Sequence, residues 1–253
     1  VIKPKATDSD PARSLRDGLY PILKAASQAR PNAIRHESRK KTASAPPPAA
    51  LRTPSHNFQA DIVAIGSSTG GPAALHAVLS NIKRPFPVPI VVVQHMPKLF
   101  IESLAKRLDC ECELRCCVAE PDMVLQAGTV YFAPGESHMD IVRTAGKSLA
   151  VQLHQAAPEH HCRPAVDVTL RSLHALAPSV KTLVVILTGM GKDGAAGAKL
   201  LADAKARVIA QDKQSSVVWG MPGETVRLNA ADEVLALNQI AAAISPATAG
   251  VTT

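Results

Sequence analysis

Three short turns hold the residues whose types could do chemistry together. Ser68 lies in Gly66-Ser-Ser-Thr-Gly70, a G-x-S-x-G form in which small neighbours let the chain turn sharply and expose a hydroxyl. A serine hydroxyl is a weak nucleophile near neutral pH and needs a base within hydrogen-bond reach. His95, in Gln94-His-Met-Pro97, is the candidate base. Asp193, in Gly189-Met-Gly-Lys-Asp-Gly194, is a candidate carboxylate to fix the imidazole tautomer and stabilise the imidazolium. Each has a plainer reading. A glycine-rich turn can hold phosphate at a helix amino end. A lone histidine after a strand is more often structural, and Asp193 by itself reads better as a helix cap.

The elements around the turns favour the chemical reading. Each turn follows a run rich in Val, Ile or Leu and precedes a helix-compatible stretch. Strands are expected at Ile62–Ile65, Ile90–Val93, Thr182–Leu187, Arg207–Ala210 and Glu233–Leu235. Helices are expected at Ala73–Ile82, Leu99–Leu108, Val166–Leu176, Ala195–Ala204, near Glu224–Leu228 and from Gln239. The stretch from Leu114 to Leu153 differs: strand candidates Thr129–Phe132, Met139–Val142 and Leu149–Leu153 stand between turn signals and suggest antiparallel hairpins. The fold class is therefore α/β, a mostly parallel doubly wound sheet with an antiparallel hairpin region in the middle. In such a sheet, sites assemble at the carboxyl ends of the strands, which would bring Ser68, His95 and Asp193 together. Their order, Ser, His, Asp, is not the Ser, Asp, His order of α/β-hydrolases, so the serine turn does not imply that fold.

Composition narrows the class. The 253 residues are 46% hydrophobic but only 3% aromatic, which suits a core of aliphatic buried strands. No apolar run approaches the roughly 18 residues of a membrane span, and the start has no signal-peptide character. The net charge of +7 is confined to one end. Residues 1–57 hold 11 of the 28 Lys+Arg and 4 of the 21 Asp+Glu, so they carry the whole excess, and the remaining 17 of each sign cancel. The globular part lacks the basic excess and the aromatics that would hold nucleic acid. The five cysteines, Cys110, Cys112, Cys116, Cys117 and Cys162, are odd in number and match no paired metal spacing. On a strand, Cys116 and Cys117 would face opposite ways. A reducing cytoplasm fits best, with no metal and no cofactor expected.

One competing motif must be weighed. Gly189–Gly194 is formally G-x-G-x-x-G between a strand and a helix, with Asp212 near the end of the next strand, which satisfies the dinucleotide fingerprint on spacing. That reading leaves the serine and histidine turns unexplained. A P-loop is excluded, because Asp193 follows Lys192 where Ser or Thr is needed. A non-catalytic binding module that retains the turns is a further alternative.

Taken together, the Ser68-Thr-Gly-Gly71, Gln94-His-Met-Pro97 and Gly189-Met-Gly-Lys-Asp-Gly194 turns resemble the catalytic domain of the chemotaxis protein-glutamate methylesterases, the CheB family. Tyr131-Phe-Ala-Pro-Gly135 with His138, Arg163-Pro164 with Val166-Asp167, and Gln211-Asp212 through Gly220-Met-Pro222 extend the likeness over about residues 60–245. The resemblance implies Ser68 as nucleophile, His95 as base, Asp193 as orienter, the Met190 N–H in the oxyanion hole and Thr69 at the site. It also implies ester hydrolysis and glutamine deamidation on the cytoplasmic domains of methyl-accepting chemoreceptors. Ala165 stands where a serine is common in the family, and the cysteine stretch 110–117 falls outside its signatures.

The implied organisation has four parts. Residues 1–30, with Lys3-Pro4 and an apolar-spaced stretch from Arg13 to Ala29, resemble the carboxyl end of a response-regulator receiver domain. Residues 31–57 read as a Pro/Ala/basic linker, 58–246 as the catalytic domain and 247–253 as a flexible tail. The chain opens without an initiator Met and lacks a receiver's phosphoacceptor, so a truncated and constitutively active form is expected. A histidine kinase would be a partner only through the missing receiver.

Overall fold

The computed structural model describes residues 58–248. The expectations for residues 1–57 and for the last five residues lie outside the described residues. Seven strands form one sheet in the order β3-β4-β2-β1-β7-β8-β9. They are β1 (Ile62–Ser67), β2 (Ile90–Gln94), β3 (Arg115–Val118), β4 (Thr129–Phe132), β7 (Thr182–Ile186), β8 (Arg207–Gln211) and β9 (Glu233–Leu235). Every pairing within this sheet is parallel. Among the described residues, six helices connect or cover it: α1 (Gly71–Leu79), α2 (Lys98–Glu111), α3 (Val166–Ala175), α4 (Ala195–Asp203), α5 (Met221–Arg227) and α6 (Leu237–Thr248).

Parallel strands in this class are covered on both faces, which is why β1, β2 and β7 read as unbroken apolar runs and are buried along their whole length. Alternate residues feed two separate cores. Val63, Ile65, Val92, Leu183 and Val185 pack on one face with α1, α2 and α6. Ile62, Ala64, Val91, Val93, Val184 and Ile186 pack on the other with α3 and α4. Helix α6 runs two residues into the stretch expected as tail, where Ala247 is buried and its carbonyl accepts from the Ala60 N–H at 2.7 Å.

The middle of the chain corrects one expectation. Thr129–Phe132 is β4 and pairs parallel with β2, so it belongs to the main sheet and not to a hairpin. Among the described residues, β5 (His138–Arg143) and β6 (Leu149–His154) are the one pair of strands that is antiparallel. The end of the cysteine stretch 110–117, to which no element is assigned from the sequence, lies in the edge strand β3. An edge strand with an exposed Arg115 and only one fully buried residue has no apolar run to announce it. Cys116 packs into the first core and Cys117 against the second, which is the opposed orientation expected of adjacent strand residues.

The topology fixes where a site can form. From β1 the chain steps to β2 on one side, and later returns to place β7 on the other. This reversal is the switch point of a doubly wound sheet, where a crevice opens at the carboxyl ends. The turns after β1, β2 and β7 are the three singled out by their residues.

Candidate active site

At the end of β1 the chain must reverse direction within a few residues. Gly70 adopts φ +82° as the cap of α1, a conformation that favours glycine. Gly71 is required for a different reason: a Cβ there would lie 1.9 Å from Gln94 Oε1. The space belongs to Gln94, buried at the end of β2, which ties the first two turns together. Ser67 Oγ donates to Gln94 Oε1 at 2.7 Å, and Gln94 Nε2 donates to the Ser68 and His95 carbonyls at 3.0 Å. The His95 N–H closes the link on the Ser67 carbonyl at 3.1 Å. Ser68 is left half-buried, and among the described residues its Oγ has no hydrogen-bond partner.

The third turn is tied to the first through Thr188. The Ser68 N–H donates to the Thr188 carbonyl at 3.0 Å, and Thr188 Oγ1 donates to the Thr69 carbonyl at 2.9 Å. Gln211 Oε1 accepts the Thr188 N–H from the end of β8. Gly189 sits so close that a Cβ would meet Ser68 Cβ at 2.9 Å and Met221 Sδ at 2.2 Å. Thr69 is exposed at the site mouth, and Met190 projects a side chain that is 74% exposed. Among the described residues, no partner takes the Met190 N–H.

His95 and Asp193 meet directly. His95 Nε2 lies 2.7 Å from Asp193 Oδ2, with the His95 side chain 11% and the Asp193 side chain 2% exposed. This leaves His95 Nδ1 as the ring nitrogen without a partner among the described residues. Asp193 is not a cap of the helix that follows it. That helix, α4, is capped by Gly194 at φ +88° with no side-chain bond. The carboxylate instead accepts the first N–H groups of α3: Val166 N to Oδ2 at 2.7 Å and Asp167 N to Oδ1 at 2.9 Å. Burial alone would raise its pKa. Hydrogen bonds from His95 and from the Asp167 and Val166 amides outweigh burial and hold the carboxyl below the usual aspartate range. A buried charge is thus sustained at the positive end of a helix and opposite an imidazole.

All the residues expected at the site stand at one end of the sheet. The residues that hold them there were not foreseen: Ser67, Gln94, Thr188, and the amides of Val166 and Asp167. The readable signals were a glutamine closing an apolar strand and an aspartate just past a proline. The geometry weighs against the dinucleotide reading. The Gly189–Gly194 turn is packed against Ser68 and Met221, and one carboxylate oxygen of Asp212, Oδ1, already accepts from the Ser215 N–H and hydroxyl. Glu159, His160 and Asp167 offer ligand atoms within 4.8 Å of one another. Each is already engaged: Glu159 takes both Arg171 nitrogens, and Asp167 takes the Gly197 N–H and His160. This donor set is satisfied by protein partners and does not fit a resident metal.

Serine, histidine and aspartate thus stand on three adjacent strand ends of a doubly wound α/β domain. The chain belongs to the CheB methylesterase family, whose model matches residues 63–244. It is 45% identical over 181 residues to a Trichodesmium erythraeum protein named protein-glutamate methylesterase/protein-glutamine glutaminase, covering 72% of this chain and 51% of that one. A Nocardioides protein of the same name is 46% identical over 180 residues, covering 71% of this chain and 48% of its own. The chain thus spans about half the length of the curated relatives it matches. The crystal structure of the Thermotoga maritima CheB methylesterase catalytic domain superposes with a TM-score of 0.70 at 42% identity, covering 74% of this chain and 98% of that chain.

Proposed function

We propose that this chain is a serine hydrolase that cleaves glutamate γ-methyl esters, and deamidates glutamines, on the cytoplasmic domains of chemoreceptors. The observation that carries this reading is the 2.7 Å contact between His95 and a buried, charged Asp193, one strand away from a Ser68 hydroxyl that has no partner among the described residues. The names of the relatives support the choice of ester and amide.

Ser68 Oγ attacks the γ-carbonyl as His95 Nδ1 takes its proton. His95 closes on the hydroxyl when substrate is bound, as catalytic hydrogen bonds often do. Asp193 stabilises the imidazolium through Nε2–H. The Met190 N–H, at a turn whose neighbour Gly189 touches Ser68, stabilises the developing oxyanion, and Thr69 lines the entry. His95 then gives its proton to the departing methanol, leaving a γ-glutamyl ester on Ser68. Water, deprotonated by His95, attacks that ester; glutamate leaves and Ser68 regains its proton. With glutamine the same acyl-enzyme forms and ammonia departs. No step requires a metal or cofactor.

The reading places the chain in the cytoplasm, where a reducing poise suits five free cysteines. Among the described residues, no helix is long and apolar enough to cross a membrane. Residues 1–30, read as the end of a receiver, would link a longer form to a histidine kinase.

The test is methanol release from a methylated chemoreceptor cytoplasmic fragment, with ammonia release from its glutamine form in parallel. The wild type should release both, and Ser68→Ala should be slower by roughly 10⁴–10⁶-fold. A loss under about tenfold removes Ser68 from the nucleophile role.

A further inference from the structure

Asp193 takes its position from the first amides of α3, so whatever fixes that helix end fixes the catalytic carboxylate. Two contacts do so. Val166 is wedged where a Cβ on either Gly66 or Gly194 would collide with it, at 2.6 and 2.7 Å. The residue before it, Ala165, is the cap of α3, in extended conformation and with no side-chain cap bond. Its own N–H donates to Nδ1 of His138 at 3.2 Å. His138, the first residue of β5, is fully buried, and its Nε2 donates to the Ala157 carbonyl at 3.2 Å. One ring nitrogen must accept and the other must donate, so this histidine is held neutral with its proton on Nε2.

We propose that His138 is a positioning residue for the hydrolase: its Nδ1 lone pair anchors the Ala165 amide, and through it the Val166 and Asp167 amides that hold Asp193 against His95. This rests on the catalytic reading given above. The anchor works only with a neutral ring, because a proton on Nδ1 would face the Ala165 N–H. The surroundings favour that state. Burial, first of all, lowers the ring's pKa, and the neighbouring His154 and Arg163 push the same way, against the Ala157 carbonyl and Glu159. His154 stacks at 5.3 Å in a tilted pair and is itself bound to Asp140. The folded-state pKa is therefore depressed, and the anchor is fully present above the ordinary histidine value. It is lost as pH falls through the lower folded value.

Two isosteric changes separate the ring's two bonds. His138→Asn puts an amide oxygen where Nδ1 stands, keeping the acceptor for Ala165 and losing the donor to Ala157. His138→Gln reaches the Nε2 position, keeping the Ala157 bond and losing the acceptor. Both variants are assayed for methanol release above pH 7.5, with thermal unfolding recorded for each. His138→Asn should hold kcat within about threefold. His138→Gln should lose about 10- to 100-fold in kcat, with KM nearly unchanged, the range expected when a catalytic group is misplaced by up to an ångström. Equal losses in the two variants, or a wild-type kcat for His138→Gln, would overturn the proposal. Absence of turnover by the wild type in the same assay would instead sink the catalytic reading. If either variant fails to fold, nitrogen-15 spectra of the wild type decide the matter. They should show His138 protonated on Nε2 alone near neutral pH, and a proton on Nδ1 there would contradict the anchor.

Discussion

The strand ends and the hairpin segment support the same site by different means. The turns after β1, β2 and β7 carry reactive side chains on glycine-dependent backbone, packed so closely that one added methyl at Gly71 would run into Gln94. The hairpin β5–β6 and the loop to α3 contribute no reacting group in this account. They act through backbone amides and one buried imidazole. In the proposed mechanism, chemistry therefore depends on side-chain identity at the strand ends and on geometry in the hairpin segment. Substitutions in the two regions should fail differently.

The largest expected effect, apart from loss of the nucleophile, is at Asp193. Asp193→Asn preserves shape but offers an amide N–H₂ or a neutral oxygen to His95, so the wrong tautomer is favoured. Turnover should fall on the order of 10⁴-fold. Near-normal methanol release would show that the α3 amides, and not the charge, do what this carboxylate is needed for.

Gly71→Ala comes next. The new Cβ displaces the Gln94 amide, which is the link between the Ser67, Ser68 and His95 backbones. Overpacking of this kind costs about 1–3 kcal/mol, to be read from urea unfolding, and kcat should fall about tenfold or more as the nucleophile and base lose their common tie. A stable but fully active variant would mean that Gln94 is dispensable. The matching change in the hairpin is Gly146→Ala, whose Cβ would meet nothing nearer than Thr144 Oγ1 at 3.8 Å. It should shift stability by no more than about 0.5 kcal/mol and leave turnover alone.

A smaller and more specific effect is expected on acidification. The Asp193 carboxyl lies below its ordinary range in the folded chain, so the unfolded state takes up its proton first as pH falls. Its contribution to stability is present above the ordinary aspartate value, near pH 4, and is lost as pH drops through the lower folded value. Asp167 runs the other way, because burial and the neighbouring Asp193 charge raise its carboxyl above the ordinary value. Its contribution is full below that value and is lost as pH rises through the raised one. Unfolding midpoints measured between about pH 2 and 5 should therefore fall less steeply on acidification in Asp193→Asn than in the wild type. Parallel curves would show that another group carries the acid dependence.

The same division explains what could be read from the chain beforehand. Strands β1, β2 and β7 are central, buried on both faces and aliphatic, so their runs and the glycine turns that end them stand out. The strand-end positions of Ser68, His95 and Asp193 were legible because each directly follows such a run or its glycine turn. Strand β3 was not, since an edge strand built from Arg115, Cys116 and Cys117 has neither an apolar run nor clean alternation. Thr129–Phe132 was seen as a strand but given the wrong partner, because the sheet that receives it is set by long-range pairing with Ile90–Val92. The anchoring of Asp193 by Val166 and Asp167 was invisible for a different reason. Backbone amides are present at every residue but proline, and only the fold says which two point at a carboxylate 27 and 26 residues away. Asp193 itself looked like a cap, and the structure gives that task to Gly194.

In the proposed mechanism one hydroxyl of the Ser67–Ser68 pair is chemical and the other structural. Ser67 is buried and bound to Gln94, while Ser68 is half-buried and has an unpartnered hydroxyl among the described residues. Methanol release from a methylated receptor fragment should be measured for Ser67→Ala and Ser68→Ala side by side with the wild type. The account predicts that Ser68→Ala loses at least about 10⁴-fold, and that Ser67→Ala remains within about 100-fold of the wild type while unfolding more readily. An active Ser68→Ala protein, or one in which the Ser67 change is the more damaging to turnover, would contradict it.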